Sequence, residues 1–246
     1  MREWNEKPIK GYDFSLNKEQ IKNIFNTPER IKYSEEKKKI QKRKETIYKF
    51  TSIGLSTNSV RNLILVNVIL FIATYFINMN SLSLYNIIDP NFAIWQPITS
   101  MFLHAGVLHI LLNMFVLWQF GNQLEQIIGT NKFLSIYFFS GLMSAIFWMF
   151  LGTGPAVGAS GALCGLLAAF VFIDPMSDVL FLFFIPMKMK NFIYGFGVLS
   201  LIFGLLSLIN PSYGFGVGHF AHLGGLIGGY LLTYYWVRNK LIQTYD

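Results

Sequence analysis

Cysteine is almost missing: Cys164 is the one thiol in 246 residues. That excludes an intramolecular disulfide, and it excludes a thiolate cluster for zinc or iron–sulfur. Charge is nearly as scarce. Charged residues make up 13% of the chain, against 53% hydrophobic and 17% aromatic, with a mean hydropathy of +0.43. This balance is too apolar for an ordinary soluble domain and points to a polytopic membrane protein. The formal charge of +7 resembles a nucleic-acid signal until its location is read. Residues 1–61 carry fifteen Lys/Arg against eight Asp/Glu, whereas residues 62–246 carry five of each. The whole excess precedes the first apolar span, which marks a cytoplasmic flank and not a nucleic-acid surface. The first 60 residues also lack the apolar core of a cleavable signal peptide.

What is present falls into three parts: a basic head over 1–61, a membrane domain over 62–237 and a short tail over 238–246. In the head, Asn17 with Gln20 suits a capping box, and Thr27-Pro28-Glu29 suits a second helix start. The Lys37–Lys44 run is either a solvated helix face or a patch held on anionic lipid. Six apolar segments follow, near 62–79, 104–120, 133–151, 160–174, 191–209 and 219–237. Lys/Arg residues occur in every other connection: Lys132, then Lys188 and Lys190, then Arg238 and Lys240. The connections 80–103, 152–159 and 210–218 have none. This alternation predicts six spans with both termini on the cytoplasmic side. The fold expected is an all-α six-helix membrane bundle with a small, partly helical soluble head.

The fourth segment is too short for a full span. Thirteen apolar residues from Gly161 to Ile173 give roughly 20 Å of helix, against a hydrocarbon core of about 30 Å. The Gly- and Pro-containing stretch before it, residues 152–159, is not a regular helix. Either it lines a water-filled cavity at membrane depth, or it is an external turn and the helix tilts.

The polar residues converge on one side. His104 and His109 open the second segment, His219 and His222 open the sixth, and Ser160 heads the fourth. By the predicted topology all three lie toward the outer face. Ionisable groups inside a membrane are functional candidates, and a serine with a histidine is the minimum set for nucleophile and base. Gly161 and Gly165 lie four apart, as do Gly224 and Gly228, and Gly225 and Gly229. Such pairs let helix backbones approach closely. Packing through them brings Ser160 and His222 together. No Asp or Glu lies in the outer half of these spans, so the expectation is a dyad without an acid. His109 and Asn113, four apart, offer neutral donors toward an oxyanion. Asn113 is equally suited to gluing helices by a side-chain bond.

These pieces resemble a known family. Gly158-Ala159-Ser160-Gly161, the run His104 through His109 to Asn113, and Ala221-His222 through Gly225 to Gly229 are similar, in order and in placement, to rhomboid intramembrane serine proteases. The resemblance implies Ser160 as nucleophile and His222 as base. It implies an oxyanion hole of His109, Asn113 and the Ser160 N–H, and His104 as a polar group organising the first external loop. Gly158, Gly161 and Gly225 become structural residues beside the site. Glu125 also resembles a family position. Two departures stand out. Trp95-Gln96 replaces a common Trp-Arg, which puts the loop packing in question. Cys164 replaces a Tyr or Phe that stacks on the base, so the ring of His222 needs another partner or is looser.

The implied activity is a membrane endopeptidase that cuts transmembrane proteins near the outer face, in a bacterial cytoplasmic membrane, with no metal or organic cofactor. Its partners are transmembrane substrates and the lipid bilayer, not nucleic acid. An inactive rhomboid-like protein that escorts or retains membrane helices is the alternative. A proton-coupled transporter fits less well, because Glu125 and Asp174 both lie near the inner surface.

Overall fold

A computed structural model describes residues 57–76, 80–181 and 185–242, together with Lys32, Glu35, Lys37 and Lys38. The chain falls into two compact units, Met1–Thr46 and Ile47–Asp246. In the first, the four described residues are helical and exposed. The helix starts expected at Asn17 and at Thr27-Pro28 lie outside the described residues.

The second unit is a helical bundle. Its helices are α1 (Asn58–Ala73), the short α2 (Gln96–Thr99), α3 (Val107–Ile128), α4 (Thr130–Leu151), α5 (Ser160–Ile173), α6 (Met189–Ile209) and α7 (His219–Arg238). Six of these, all but α2, fall on the six expected segments. By length and composition α4 and α6 suffice to cross a membrane, and α2 with α3, bent by 93° at their junction, make up to three such spans. Helices α1 and α5 are shorter apolar helices. The first turn of α1, Asn58–Arg61, lies in the stretch that charge alone assigns to the head. Between α5 and α6 the chain forms an antiparallel hairpin, β1 (Asp178–Phe181) with β2 (Ile185–Lys188), pairing Asp178 with Lys188 and Val179 with Met187. A Lys188–Asp178 ion pair of 2.8 Å closes its base.

Helix α5 is the axis. Eleven of its fourteen residues are buried, which matches a helix that is apolar all round. Helix α6 is the opposite case: Val198, Leu199, Leu201, Ile202, Leu205 and Ile209 are all exposed. An apolar surface of that extent marks a lipid-facing wall.

Glycines set the spacing of the central helices. A Cβ at Gly225 or Gly229 would run into the carbonyls of Gly161 and Gly165, respectively, so α7 touches α5 backbone to backbone. A Cβ at Gly161 or Gly165 would strike Ser144 or Ser140 of α4. The second pair on α7, Gly224 and Gly228, faces Met143 of α4 instead. Two adjacent glycine stripes thus let α7 sit in the groove between α4 and α5.

At the end of the bundle remote from Ser160, α1 is anchored by side chains of α3. Thr57, just ahead of α1, donates its N–H to Asn122 Oδ1 at 2.7 Å, and its hydroxyl bonds Glu125 Oε2. The other Glu125 oxygen accepts from Thr130 Oγ1 at 2.7 Å. The buried carboxylate therefore lies at the N-termini of α1 and α4, where helix dipoles favour negative charge. Gly129, at φ 84°, makes the one-residue break between α3 and α4 that permits this.

Candidate active site

Ser160 is the first residue of α5. The opening N–H groups of a helix have no intrahelical partner, and the dipole is positive there. His222 lies in the first turn of α7. Its Nε2 is 2.8 Å from Ser160 Oγ. The close α5–α7 packing delivers this distance, because Gly161 follows Ser160 and Gly225 lies one turn beyond His222. The Nδ1 of His222 is buried and has no hydrogen-bond partner among the described residues. Among the described residues no carboxylate completes a triad.

His109 stands on the other side of the serine. A Cβ at Gly158 would come 2.9 Å from both His109 Cε1 and Nε2, and Gly158 has φ 131°, a conformation open to glycine. The His109 ring thus packs on the backbone just before Ser160. Ala105 N–H points at His109 Nδ1 at 3.4 Å. A ring accepting at Nδ1 carries its proton on Nε2, directed to the Gly158–Ser160 side. Asn113 is buried one turn along. Its Nδ2 donates to the His109 carbonyl at 2.9 Å, which leaves the amide a second N–H for the cavity it lines. His104 is buried and packs edge-on against His109, with ring centroids 5.1 Å apart.

A cavity of about 700 Å³ opens between these groups; Ser160, His222, His109, Asn113, Trp148 and Phe196 are among its walls. The stretch 152–159 forms part of that wall and is not an outlying turn. Leu84 and Ala156 exchange both backbone bonds, at 2.9 and 2.8 Å, and Gly158 N–H donates to Ser100 O at 2.9 Å. Trp148 Nε1 donates to Gly154 O at 3.1 Å.

The loop from 80 to 95 is organised by Gln96, which is fully buried. Gln96 Oε1 accepts from Tyr85 N–H at 3.3 Å and its Nε2 donates to Asn91 O at 2.7 Å. Trp95 Nε1 and Thr99 Oγ1 add bonds to Ser81 O and Leu82 O, at 2.9 and 2.7 Å. The loop bonds thus run through Gln96, Trp95 and Thr99, while His104 packs on His109. The glutamine answers the packing question raised by the absent arginine: a neutral amide holds the loop from inside.

Sequence reasoning did not find Phe196 of α6. Its ring lies 5.7 Å from that of His222, centroid to centroid, tilted by 36°. A long apolar helix rich in Phe carries no pattern that says which ring meets the histidine. Cys164, one turn after Ser160, is buried. Among the described residues no group of three or more His, Cys, Asp or Glu could hold a metal ion.

Known proteins are similar to this chain in sequence. The Rhomboid domain family matches residues 91–239. Rhomboid protease GluP of Bacillus subtilis is 32% identical over 139 residues, 55% of this chain and 25% of its own length. RHOMBOID-like protein 6, mitochondrial, of Arabidopsis thaliana is 35% identical over 145 residues, 57% of this chain and 43% of its own. Putative rhomboid protease YdcA of Bacillus subtilis is 34% identical over 160 residues, 63% of this chain and 74% of its own. The chain thus spans a quarter to under half of the first two relatives. The family match takes in more than half of the sequence, including Ser160, His222, His109 and Asn113, and the chain belongs to the rhomboid family.

Proposed function

We propose that this chain is an intramembrane serine endopeptidase with Ser160 as nucleophile and His222 as base. The observation that carries the reading is the 2.8 Å separation of Ser160 Oγ and His222 Nε2 at the head of a buried helix, beside a cavity. A serine hydroxyl is a weak nucleophile alone; a base within hydrogen-bond reach activates it. Ser160 Oγ attacks the substrate carbonyl carbon while His222 Nε2 takes the hydroxyl proton. The carbonyl oxygen becomes an oxyanion, met by the Ser160 N–H, His109 Nε2–H and the free N–H of Asn113. The tetrahedral intermediate collapses, the C–N bond breaks, and His222 returns its proton to the leaving amine. Water then adds to the acyl-enzyme, with His222 again accepting the proton, and releases the new carboxyl terminus.

The substrate is a transmembrane protein. An intact helix hides its carbonyls in its own hydrogen bonds, so the cut falls where small or helix-breaking residues let it unwind. The alternating Lys/Arg residues support six spans with both termini on the cytoplasmic side, and a cytoplasmic bacterial membrane is the simplest setting. Ser160 then lies toward the outer face.

The test is labelling with a fluorophosphonate, together with cleavage of a transmembrane substrate in the same micelles. The protein is labelled and cleaves; Ser160→Ala, equally folded, does neither. Cleavage retained by Ser160→Ala overturns the assignment. Absence of both signals from the unmutated chain points to the escort reading.

A further inference from the structure

His222 needs its ring held, and its second nitrogen has no hydrogen bond among the described residues to supply the hold. Nε2 faces Ser160 at 2.8 Å, whereas Nδ1 is buried with no hydrogen-bond partner among the described residues. In a histidine base the second nitrogen ordinarily sets tautomer and ring angle through its own hydrogen bond. Without one, the terminal torsion is broad and roughly two-fold. A half-turn about it takes Nε2 away from Ser160.

The neighbouring side chains narrow the choice. On α5 the residue one turn beyond Ser160 is Cys164, which has no ring. On α7 itself His219 stands 6.5 Å away and nearly perpendicular, at 85°. It is engaged elsewhere: its Nε2 lies 3.2 Å from Gly214 O, and Phe203 of α6 stacks on it at 5.4 Å and 28°. The ring that lies along His222 belongs to Phe196 of α6, at 5.7 Å and 36°. Phe196 is backed in turn by Phe192, stacked at 6.2 Å and 22°. Aromatic contacts at 4.5–7 Å are attractive and directional. Phe196 and Phe203, seven apart on one helix, thus meet His222 and His219, three apart on the next.

We propose that Phe196 is the positioning residue of the general base: its ring restricts rotation of the His222 imidazole and keeps Nε2 on the Ser160 hydroxyl. The base is therefore oriented from α6, a helix with an exposed apolar face, and not from α5, which carries the nucleophile. The proposal rests on the protease reading. It adds that the ring of residue 196, beyond its bulk, enters the rate.

The experiment compares the full chain with Phe196→Leu, Phe196→Met and Phe196→Tyr in the same micelles. Leu and Met fill space without a ring; Tyr keeps the ring. The measurements are kcat and KM for a transmembrane substrate, the fluorophosphonate labelling rate, and thermal unfolding. Nitrogen NMR of the imidazoles, with His222 assigned through His222→Gln, reports the tautomer directly. Phe196→Leu and Phe196→Met lower kcat and labelling roughly 10- to 100-fold, the range expected for a misplaced reacting group, at unchanged KM. Their His222 signals move from one tautomer to an average of two. Phe196→Tyr recovers most of the lost rate. Full kcat and an unchanged His222 spectrum in either ringless variant overturn the proposal. So does a fall in kcat that follows thermal stability across all three. If the unmutated chain neither labels nor cleaves, the protease reading fails, and the His222 spectrum still decides whether Phe196 orients the ring.

Discussion

Gly225→Ala tests whether helix spacing sets the Ser160–His222 distance. A Cβ added at Gly225 would lie 2.7 Å from the Gly161 carbonyl carbon and 3.1 Å from its Cα, with the carbonyl oxygen nearer still. Non-bonded carbons settle at about 3.5–4.0 Å, so α7 has to withdraw from α5 by about 1 Å. Backbone is on both sides of the contact, and no side chain can rotate away to relieve it. His222 lies one turn from Gly225 and travels with it. Adding about 1 Å to the observed 2.8 Å takes the pair past the roughly 3.6 Å at which a hydrogen bond ceases to be one. The overpacking costs about 1–3 kcal/mol of stability. The misplacement lowers kcat by on the order of 10², or about 2.7 kcal/mol in barrier. Initial-rate cleavage and thermal unfolding in one detergent separate the two effects. Gly195→Ala is the control: nothing lies within 4 Å of a Cβ there, so kcat stays and helix propensity adds up to about 1 kcal/mol. A folded Gly225→Ala protein with full kcat would refute the argument that glycine packing positions the base.

Asn113→Ala removes one of the proposed oxyanion donors. kcat should fall by roughly 10²–10³, more than KM rises; steady-state kinetics decide, and a loss of thermal stability at constant kcat would assign the amide to its bond with the His109 carbonyl alone. Gln96→Leu removes the buried amide that bonds the half-buried Tyr85 N–H and the Asn91 carbonyl, at about 0.5–1.5 kcal/mol for each hydrogen bond lost. Thermal unfolding measures it, and unchanged stability would show that the loop holds itself without the amide.

The helix positions were legible because hydrophobic runs and charge alternation report which residues avoid water. The meeting of Ser160 with His222 was legible because glycines four apart stand beside both. Other features left no such trace. The hairpin at 178–188 reads as a loop between two spans, since a short apolar run such as Val179-Leu180-Phe181 has no period to separate strand from connection. The stretch Leu117–Gly121 winds as a π-helix, and Asn122 Nδ2 takes up the Trp118 carbonyl at 2.6 Å; local sequence there is ordinary for a membrane helix. Gln96 looks like a lost arginine until its bonds are seen. Phe196 is one ring among several on an apolar helix with a largely exposed face, and only the packing of α6 on α7 singles it out.

The anchoring of α1 bears on the order in which the bundle assembles. Thr57 finds its acceptors on Asn122 and Glu125, more than sixty residues later in the chain. Synthesis delivers Thr57 well before Asn122 and Glu125. The Glu125 carboxylate is also held by Thr130, at the start of α4. One carboxylate thus ties the start of α1 to the α3–α4 corner. The bonds that tie the start of α1 to α3 therefore wait for a stretch of chain made more than sixty residues later, beside the turn at Gly129.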